Sequence, residues 1–180
     1  MTESHKRQKT KLLIENAMVD LLQHTTFDQI TTVKLAEAAG ISRSSFYTHY
    51  KDKYDMINHY QDKLFHNFEY IFNKHSNHHQ HSMTEVLEYL KREPLLAALL
   101  SENGTKEIQN ILRHKLYILL GQDIQGHQAK LKLTPIEREY SRIYLTNALF
   151  GVVQTWIAKG TKESPEEMTN FFMKMLGKKK

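Results

Sequence analysis

Hydrogen-bonding side chains are concentrated in a run of seven residues, RSSFYTH, from Arg43 to His49. The run holds a guanidinium, three aliphatic hydroxyls, a phenol and an imidazole, and it contains no carboxylate. Phe46 stands in its middle and must face a core, which turns its neighbours outward if the run is helical. Such a donor-rich surface suits the base edges in the major groove of duplex DNA, where Arg43 can donate paired hydrogen bonds to guanine.

Two short helical patterns position this run. The first begins at Thr32, which we predict as its N-cap, and ends at Gly40, while Ser42 caps a second helix at about residues 43–49. Small alanines in the first helix allow a close, steep crossing of the second. This arrangement is a helix-turn-helix.

The helix starts on either side predict further contacts. Thr32 and Lys53 stand where free backbone amides and the helix dipole favour a phosphate. Phosphate contacts position a protein on DNA, whereas base contacts from the middle helix carry sequence specificity. The predicted DNA contacts are Thr32, Arg43, Ser44, Ser45, Tyr47, Thr48, His49 and Lys53.

Helical periodicity dominates the whole chain, and prolines and glycines are few. We therefore predict an all-α protein of about nine helices. Residues 1–52 form a three-helix DNA-binding domain in this interpretation, and residues 53–180 form a helical bundle. The longest apolar runs are far shorter than the roughly 20 residues of a membrane-spanning helix, so we expect no membrane partner.

Composition excludes several function classes. The chain has no cysteine, which rules out disulfides and thiolate catalysis. Its 25 basic and 20 acidic residues give a mild basic excess that permits a polyanionic partner. No glycine-rich phosphate loop occurs, and nothing places the histidines in a catalytic triad, so we predict no enzymatic activity and no cofactor. The polar N-terminus lacks the apolar core of a signal peptide, and we expect a cytoplasmic protein.

The segment ITTVKLAEAAGISRSSFYTHYKDKYDMI resembles the DNA-binding domain of the TetR/AcrR family of transcriptional regulators. The resemblance implies a homodimer that binds a palindromic double-stranded DNA operator, most often as a repressor, and that a small-molecule inducer releases. It also implies that Tyr47, His49 and Lys53 contact the DNA backbone. The matching residues are Thr32, Ala36, Gly40, Ser42, Phe46, Tyr47, His49, Tyr50, Lys51 and Lys53.

The C-terminal segment from Tyr144 to Leu176 is similar to a domain of Gram-positive members of this family, among them regulators of dihydroxyacetone utilisation. Ala148, Gly151 and Thr155 recur at helical spacing, so two helices can approach closely there. We predict a dimer interface at Ala148, Gly151, Val152, Thr155, Trp156, Phe171, Phe172 and Met175. The alternative is that these residues complete the core of a single chain.

Aromatic residues on the long connecting helix and its neighbours are candidates for lining an effector pocket. The same spacing is also typical of plain core residues, and that alternative stays open. A further alternative is a coactivator or adaptor whose C-terminal domain binds a partner protein. The candidate pocket residues are Phe65, Phe68, Phe72, Tyr89, Tyr117 and Tyr144.

A histidine-rich stretch, HSNHHQH, interrupts the helical pattern over residues 75–82. Neutral imidazoles bind zinc, nickel or copper, so a metal-responsive regulator is an alternative. No acid lies in the stretch, and its asparagine and serines disfavour a helix, which favours a polar connector and no metal site. The metal candidates are His75, His78, His79 and His81.

Overall fold

The computed structural model describes residues 3–75, 79–123 and 133–176, without the side chains of residues 3, 65, 72, 79 and 119–123. This described part contains nine α-helices, one 3-10 helix and no strand, which confirms the predicted all-α class. None of these helices is both long and apolar enough to cross a membrane. They are α1 (Glu3–Leu22), the 3-10 helix (Phe27–Gln29), α2 (Thr32–Ala38), α3 (Arg43–Tyr47), α4 (Lys53–Lys74), α5 (His79–Arg92), α6 (Pro94–Leu100), α7 (Lys106–Asp123), α8 (Pro135–Ala158) and α9 (Pro165–Met175).

The first compact unit comprises Met1–Tyr70 and Glu93–Thr105. In it α1 packs against α2 and α6, and α2 packs against α3. Each helix of this unit contributes apolar side chains that are almost completely buried, which gives one shared core. The most deeply buried are Ile14, Met18, Ile30, Leu35, Phe46, Met56, Leu96 and Leu99.

The turn between α2 and α3 has the predicted form. Gly40 has a φ of 65°, a left-handed conformation that favours glycine, and it ends α2 as expected. The Ser42 hydroxyl accepts a hydrogen bond from the Ser45 amide at 3.1 Å, which confirms the predicted cap of α3. Local sequence signals therefore determine how the chain enters α3.

The predicted N-cap of α2 was wrong by one residue. Thr31 is extended and its hydroxyl accepts a hydrogen bond from the Lys34 amide at 3.2 Å, whereas Thr32 is the first helical residue. Two adjacent threonines satisfy the capping rule equally well in the sequence. The choice between them depends on how the helix packs.

The loop after α6 contacts the end of α1 within the first unit. Asn103 Nδ2 donates to the Leu22 carbonyl at 2.9 Å, and the Asn103 carbonyl accepts from the Phe27 amide at 2.8 Å. A Cβ atom at Gly104 would lie 1.9 Å from the Leu99 carbonyl oxygen, so this turn requires glycine. These contacts attach the loop after α6 to the end of α1 and to the 3-10 helix.

The second compact unit comprises Ile71–Arg92 and Lys106–Lys180. In it α5 packs against α9, and α7 packs against α8. The Thr84 and Thr169 hydroxyl oxygens lie 3.0 Å apart, within hydrogen-bond distance, between α5 and α9. Both α8 and α9 begin with a proline and a capping box, formed by Thr134 with Glu137 and by Ser164 with Glu167.

The predicted polar break over residues 75–82 was wrong in its second half, because α5 begins at His79. Ser82 is 4% exposed, and the Thr84 hydroxyl donates to the Gln80 carbonyl at 3.0 Å. Packing of α5 against α9 stabilises a first turn that side-chain propensities alone disfavour.

The boundary between residues 52 and 53, which separates a DNA-binding domain from a C-terminal helical domain, stays a prediction. The first compact unit extends along α4 to Tyr70 and includes α6. Most of the connecting helix therefore shares a core with the helix-turn-helix.

Candidate nucleic-acid interface

The donor-rich run forms α3 and the turn after it. The helix ends at Tyr47, two residues earlier than predicted, and the His49 amide donates to the Phe46 carbonyl at 2.9 Å in the following turn. Phe46 is fully buried, and the centroid of its ring lies 5.9 Å from that of Tyr50, which is also buried. This inward side chain holds α3 against the unit, as the sequence predicted.

The structure brings the six predicted contacts near α3 onto one outward surface, but they differ in availability. The Ser44 hydroxyl lies 2.9 Å from that of the N-cap serine, and the Thr48 hydroxyl donates to the Ser45 carbonyl at 2.6 Å. Within the described part of the chain, no hydrogen bond or ion pair engages the Arg43 guanidinium. Arg43, Ser44, Tyr47 and Thr48 are exposed, and Ser45 and His49 are partly exposed.

Helix α1 places two cations near the turn that follows α3, which the sequence reasoning missed. Burial lowers the pKa of His49, and Arg7 and Lys11 lower it further. Lys11 Nζ lies 5.4 Å from the centroid of the Tyr50 ring. His49 Nδ1 is buried, and it has no hydrogen-bond partner among the described residues. The run HKRQKTK was visible in the sequence, but only the packing of α1 shows which of its cations face α3.

Lys53 does not stand on the outer surface where the sequence placed it. It is 6% exposed, and its Nζ donates to the carbonyls of Phe27 at 2.7 Å and Asp28 at 3.0 Å. The ammonium also lies 4.6 Å from the Phe27 ring centroid and 5.0 Å from that of Tyr54. Burial lowers its pKa, while Asp28 and Asp52 act in the opposite direction. Lys53 thus attaches the 3-10 helix to the start of α4.

We predict that Lys53→Met lowers the free energy of unfolding by about 1–3 kcal/mol, because two carbonyls lose their buried donor. Chemical denaturation measures this change. In salt titrations with duplex DNA, the variant should retain the slope of log affinity against log salt. A fall of the slope by about one unit, without a loss of stability, would instead support the phosphate contact that the sequence predicted.

The two helix starts predicted to bind phosphates also differ from each other. At α4, Asp52 Oδ1 accepts from the Asp55 amide at 2.8 Å, and Asp55 Oδ2 accepts from the Lys51 amide at 2.9 Å. Carboxylates therefore occupy this helix start and oppose a second anion. Thr32 is partly exposed in the first turn of α2, and its contact with phosphate stays a prediction.

Two sequence profiles match the chain. The profile described as "Bacterial regulatory proteins, tetR family" matches residues 14–60, and "Transcriptional regulator C-terminal region" matches residues 77–178, more than half of the chain. The chain belongs to the TetR family. Proteins of the TetR family are DNA-binding transcriptional regulators and not enzymes, which confirms the predicted class.

Individual TetR relatives are distant. The chain is 22% identical over 176 residues to the "Uncharacterized HTH-type transcriptional regulator YxbF" of Bacillus subtilis (strain 168), which covers 93% of this chain and 44% of that protein. The chain thus spans less than half the length of this curated relative. Two solved structures show the same fold. The fatty acid degradation regulator FadR of Bacillus halodurans is 17% identical to this chain with a TM-score of 0.65, and the match covers 93% of this chain and 94% of FadR. NalD of Pseudomonas aeruginosa is 17% identical with a TM-score of 0.64, and the match covers 96% of both chains. NalD is described as the secondary repressor of the MexAB-OprM multidrug efflux pump.

In this TetR-family chain, most residues of the predicted dimer interface are exposed or partly exposed on α8 and on α9. Tyr140 and Tyr144, exposed to 65% and 72%, extend the same surface toward the start of α8. The Thr155 hydroxyl donates to the Gly151 carbonyl at 2.9 Å, which satisfies this polar group within the helix. Ala148, Thr155, Phe171 and Met175 are exposed, and Gly151 and Val152 are partly exposed.

Two of the predicted interface residues belong to the core of the second unit instead. Trp156 and Phe172 are each 2% exposed, and Trp156 Nε1 donates to the Glu163 carbonyl at 3.1 Å. Buried side chains offer a partner almost no surface, so we correct their assignment. Apolar periodicity marks a helix face without showing whether the same chain or a second copy covers it.

The candidate pocket residues are divided between the two compact units, and their role in a pocket stays a prediction. Phe68 is a buried residue of the first unit, and Tyr89 is a buried residue of the second. The Arg142 guanidinium lies 5.0 Å from the ring centroid of Tyr117, and Tyr144 is exposed. The side chains of Phe65 and Phe72 lie outside the described part.

The histidine candidates do not assemble a metal site within the described residues. His75 Nε2 pairs with Glu85 Oε2 at 2.5 Å, and Lys74 Nζ contacts the same carboxylate at 3.1 Å. Both contacts hold the pKa of Glu85 below its ordinary value. The ring of His81 lies 5.8 Å from that of His75, while His78 and the side chain of His79 lie outside the described part.

Proposed function

We propose that this chain is a sequence-specific transcriptional repressor, acting in the cytoplasm, that binds a palindromic operator as a homodimer. The observation that carries the proposal is the outward surface of α3, where exposed Arg43 and Tyr47 flank a fully buried Phe46. The hydroxyls of the neighbouring Ser44 and Thr48 already make hydrogen bonds within the chain, so Arg43 and Tyr47 are the exposed side chains best placed to contact DNA. NalD, which shares the fold, is itself described as a repressor, and this favours repression over activation for the present chain.

Dimerisation is supported by apolar surface that the single chain leaves uncovered. On α8, Tyr144 is exposed to 72% and lies at helical spacing from the small residues Ala148 and Gly151. On α9, Phe171 and Met175 are exposed to 42% and 54%. Exposed apolar surface of this kind is a common feature of subunit interfaces. A second copy on this surface would pair two α3 helices, which matches a two-fold symmetric operator.

Selection of bound duplexes from a random pool tests the proposal directly. A palindromic consensus, with half-sites separated by about 10–10.5 base pairs, is the expected result. Recovery of no preferred sequence at modest salt would contradict it, and recovery of a single non-repeated half-site would contradict the dimer. The small-molecule inducer and the partner-protein alternative for the C-terminal domain both stay predictions.

We predict that Arg43→Ala weakens binding to the selected operator by about 1–3 kcal/mol while leaving binding to random duplex nearly unchanged. The reason is the loss of paired hydrogen bonds to a base. Arg43→Lys is the matched control, because it keeps the charge but cannot reproduce the planar, forked geometry. It should preserve the salt slope and still lose affinity for the operator. Equal losses on both duplexes would mean that Arg43 contacts only the backbone.

A further inference from the structure

Helix α1 begins with a cationic segment, residues 5–11, for which the sequence analysis predicted no DNA contact. Its cations point in different directions because they lie on a helix. Arg7 and Lys11 are one turn apart and fall on the same stripe as the fully buried Ile14 and Met18. Lys9, two residues from each of them, falls on the opposite side. The core-facing stripe of α1 thus continues past the core as a basic surface on the side of α3.

The same stripe lines an open cleft of about 510 Å³, and its lining includes Ser4, Arg7, Gln8 and Lys11. All four side chains can donate hydrogen bonds. A cleft of this volume leaves room for a phosphate group together with its sugar. The cleft is therefore large enough for a segment of nucleic-acid backbone, and Arg7 and Lys11 supply its positive charge.

One contact and one electrostatic effect place this cleft beside the turn that follows α3. Lys11 Nζ lies 5.4 Å from the ring centroid of Tyr50, and both Arg7 and Lys11 are close enough to His49 to disfavour its protonated form. The buried Nδ1 atom of His49 lacks a partner among the described residues. Glu15, one turn further along α1, lies near Lys11 at the inner end of the stripe. The outer end of the cleft, at Arg7, is the more positive part.

We propose that Arg7 and Lys11 bind a phosphate of the DNA backbone beside His49 and thereby position α3 in the major groove. The proposal rests on the proposed function, since it assumes that α3 enters the groove. Two cations converging on one cleft can neutralise a phosphate and release its counterions, and a guanidinium donates to phosphate through two parallel hydrogen bonds. Contacts of this kind fix register on the duplex without selecting a sequence.

The test compares Arg7→Gln and Lys11→Gln with Lys9→Gln, which removes the same charge from the opposite side of the same helix. Affinity for the selected operator and for a random duplex is measured between about 50 and 200 mM salt. Each of the first two variants should reduce the salt slope by about one unit per bound subunit and weaken both duplexes by the same factor. Lys9→Gln should change neither quantity measurably. Thermal melting of each variant establishes that the fold is intact.

Ethylation interference supplies a second readout that does not depend on the net charge of the protein. One phosphate per half-site should block the wild-type protein when ethylated and no longer matter to the double variant Arg7→Gln/Lys11→Gln, which retains neither cation. If Lys9→Gln loses as much as Lys11→Gln in the salt titrations, or if the same phosphates interfere with the wild-type protein and with the double variant, the phosphate site is refuted while sequence-specific binding stands. If the wild-type protein itself shows no sequence preference, the proposed function fails instead.

Discussion

Replacing Phe46 by alanine is expected to lower the free energy of unfolding by about 3–5 kcal/mol and to abolish operator binding. The side chain is fully buried, so its removal leaves a cavity in the core that α1, α2 and α3 share. Its ring meets that of Tyr50 at 5.9 Å and that of Tyr47 edge to face at 6.0 Å. Denaturant titration measures the loss of stability.

The effect on DNA binding should exceed what the loss of stability alone would produce. With only five residues, α3 is too short to be stable by itself, so its geometry depends on packing. Phe46 is its one buried side chain. Without that contact the outward donors lose their fixed positions, and each base contact becomes entropically more costly.

Tyr47→Ala is the matched control, since it truncates the adjacent aromatic residue, which is 50% exposed. It should leave the unfolding transition nearly unchanged and still weaken DNA binding severalfold. The pair of variants separates a residue that holds the helix from one that contacts the duplex. If Phe46→Ala kept full stability, or if Tyr47→Ala unfolded the protein, the orientation of α3 described here would be wrong.

Local signals in the sequence were sufficient to predict the helix-turn-helix. Gly40 adopts the positive φ that ends α2, and Ser42 caps the start of α3. Phe46 stands within a polar run, so the sequence predicts that its side chain faces the core. The role of Lys53 could not be predicted in this way. Its two carbonyl acceptors lie 26 and 25 residues earlier in the chain, and no local pattern encodes that contact.

The same limit explains the errors in the C-terminal half. Trp156 and Gly151 both lie on α8 in an apolar, helical pattern, but one is buried and the other is partly exposed. An apolar pattern with a period of 3.6 residues identifies the apolar face of a helix, but it does not show whether the same chain or a second chain covers that face. Arg7 and Lys11 were overlooked for a related reason, because five of the seven residues from His5 to Lys11 carry basic side chains and only tertiary packing distinguishes them.

Gly151→Leu is expected to convert the proposed homodimer into a monomer at micromolar concentration. In the single chain, a Cβ atom at Gly151 would meet nothing within 4 Å. The substitution therefore has room in the monomer, and it replaces a helix-interior glycine, which should raise helix stability by about 0.5–1 kcal/mol. Any loss of assembly must then come from a helix of the second copy that approaches α8 at this position. Sedimentation equilibrium measures the change.

Operator affinity should fall by about 10²–10⁴-fold in the same variant, because the second half-site is no longer bound at a high effective concentration. Binding of a single half-site duplex should be unchanged, since α3 is untouched. Gly151→Ala adds one methyl group and should give an intermediate dissociation constant for the dimer. A Gly151→Leu protein that stays dimeric with full operator affinity would show that α8 does not contact a second copy at this point, and the self-association surface would then have to lie elsewhere on the chain.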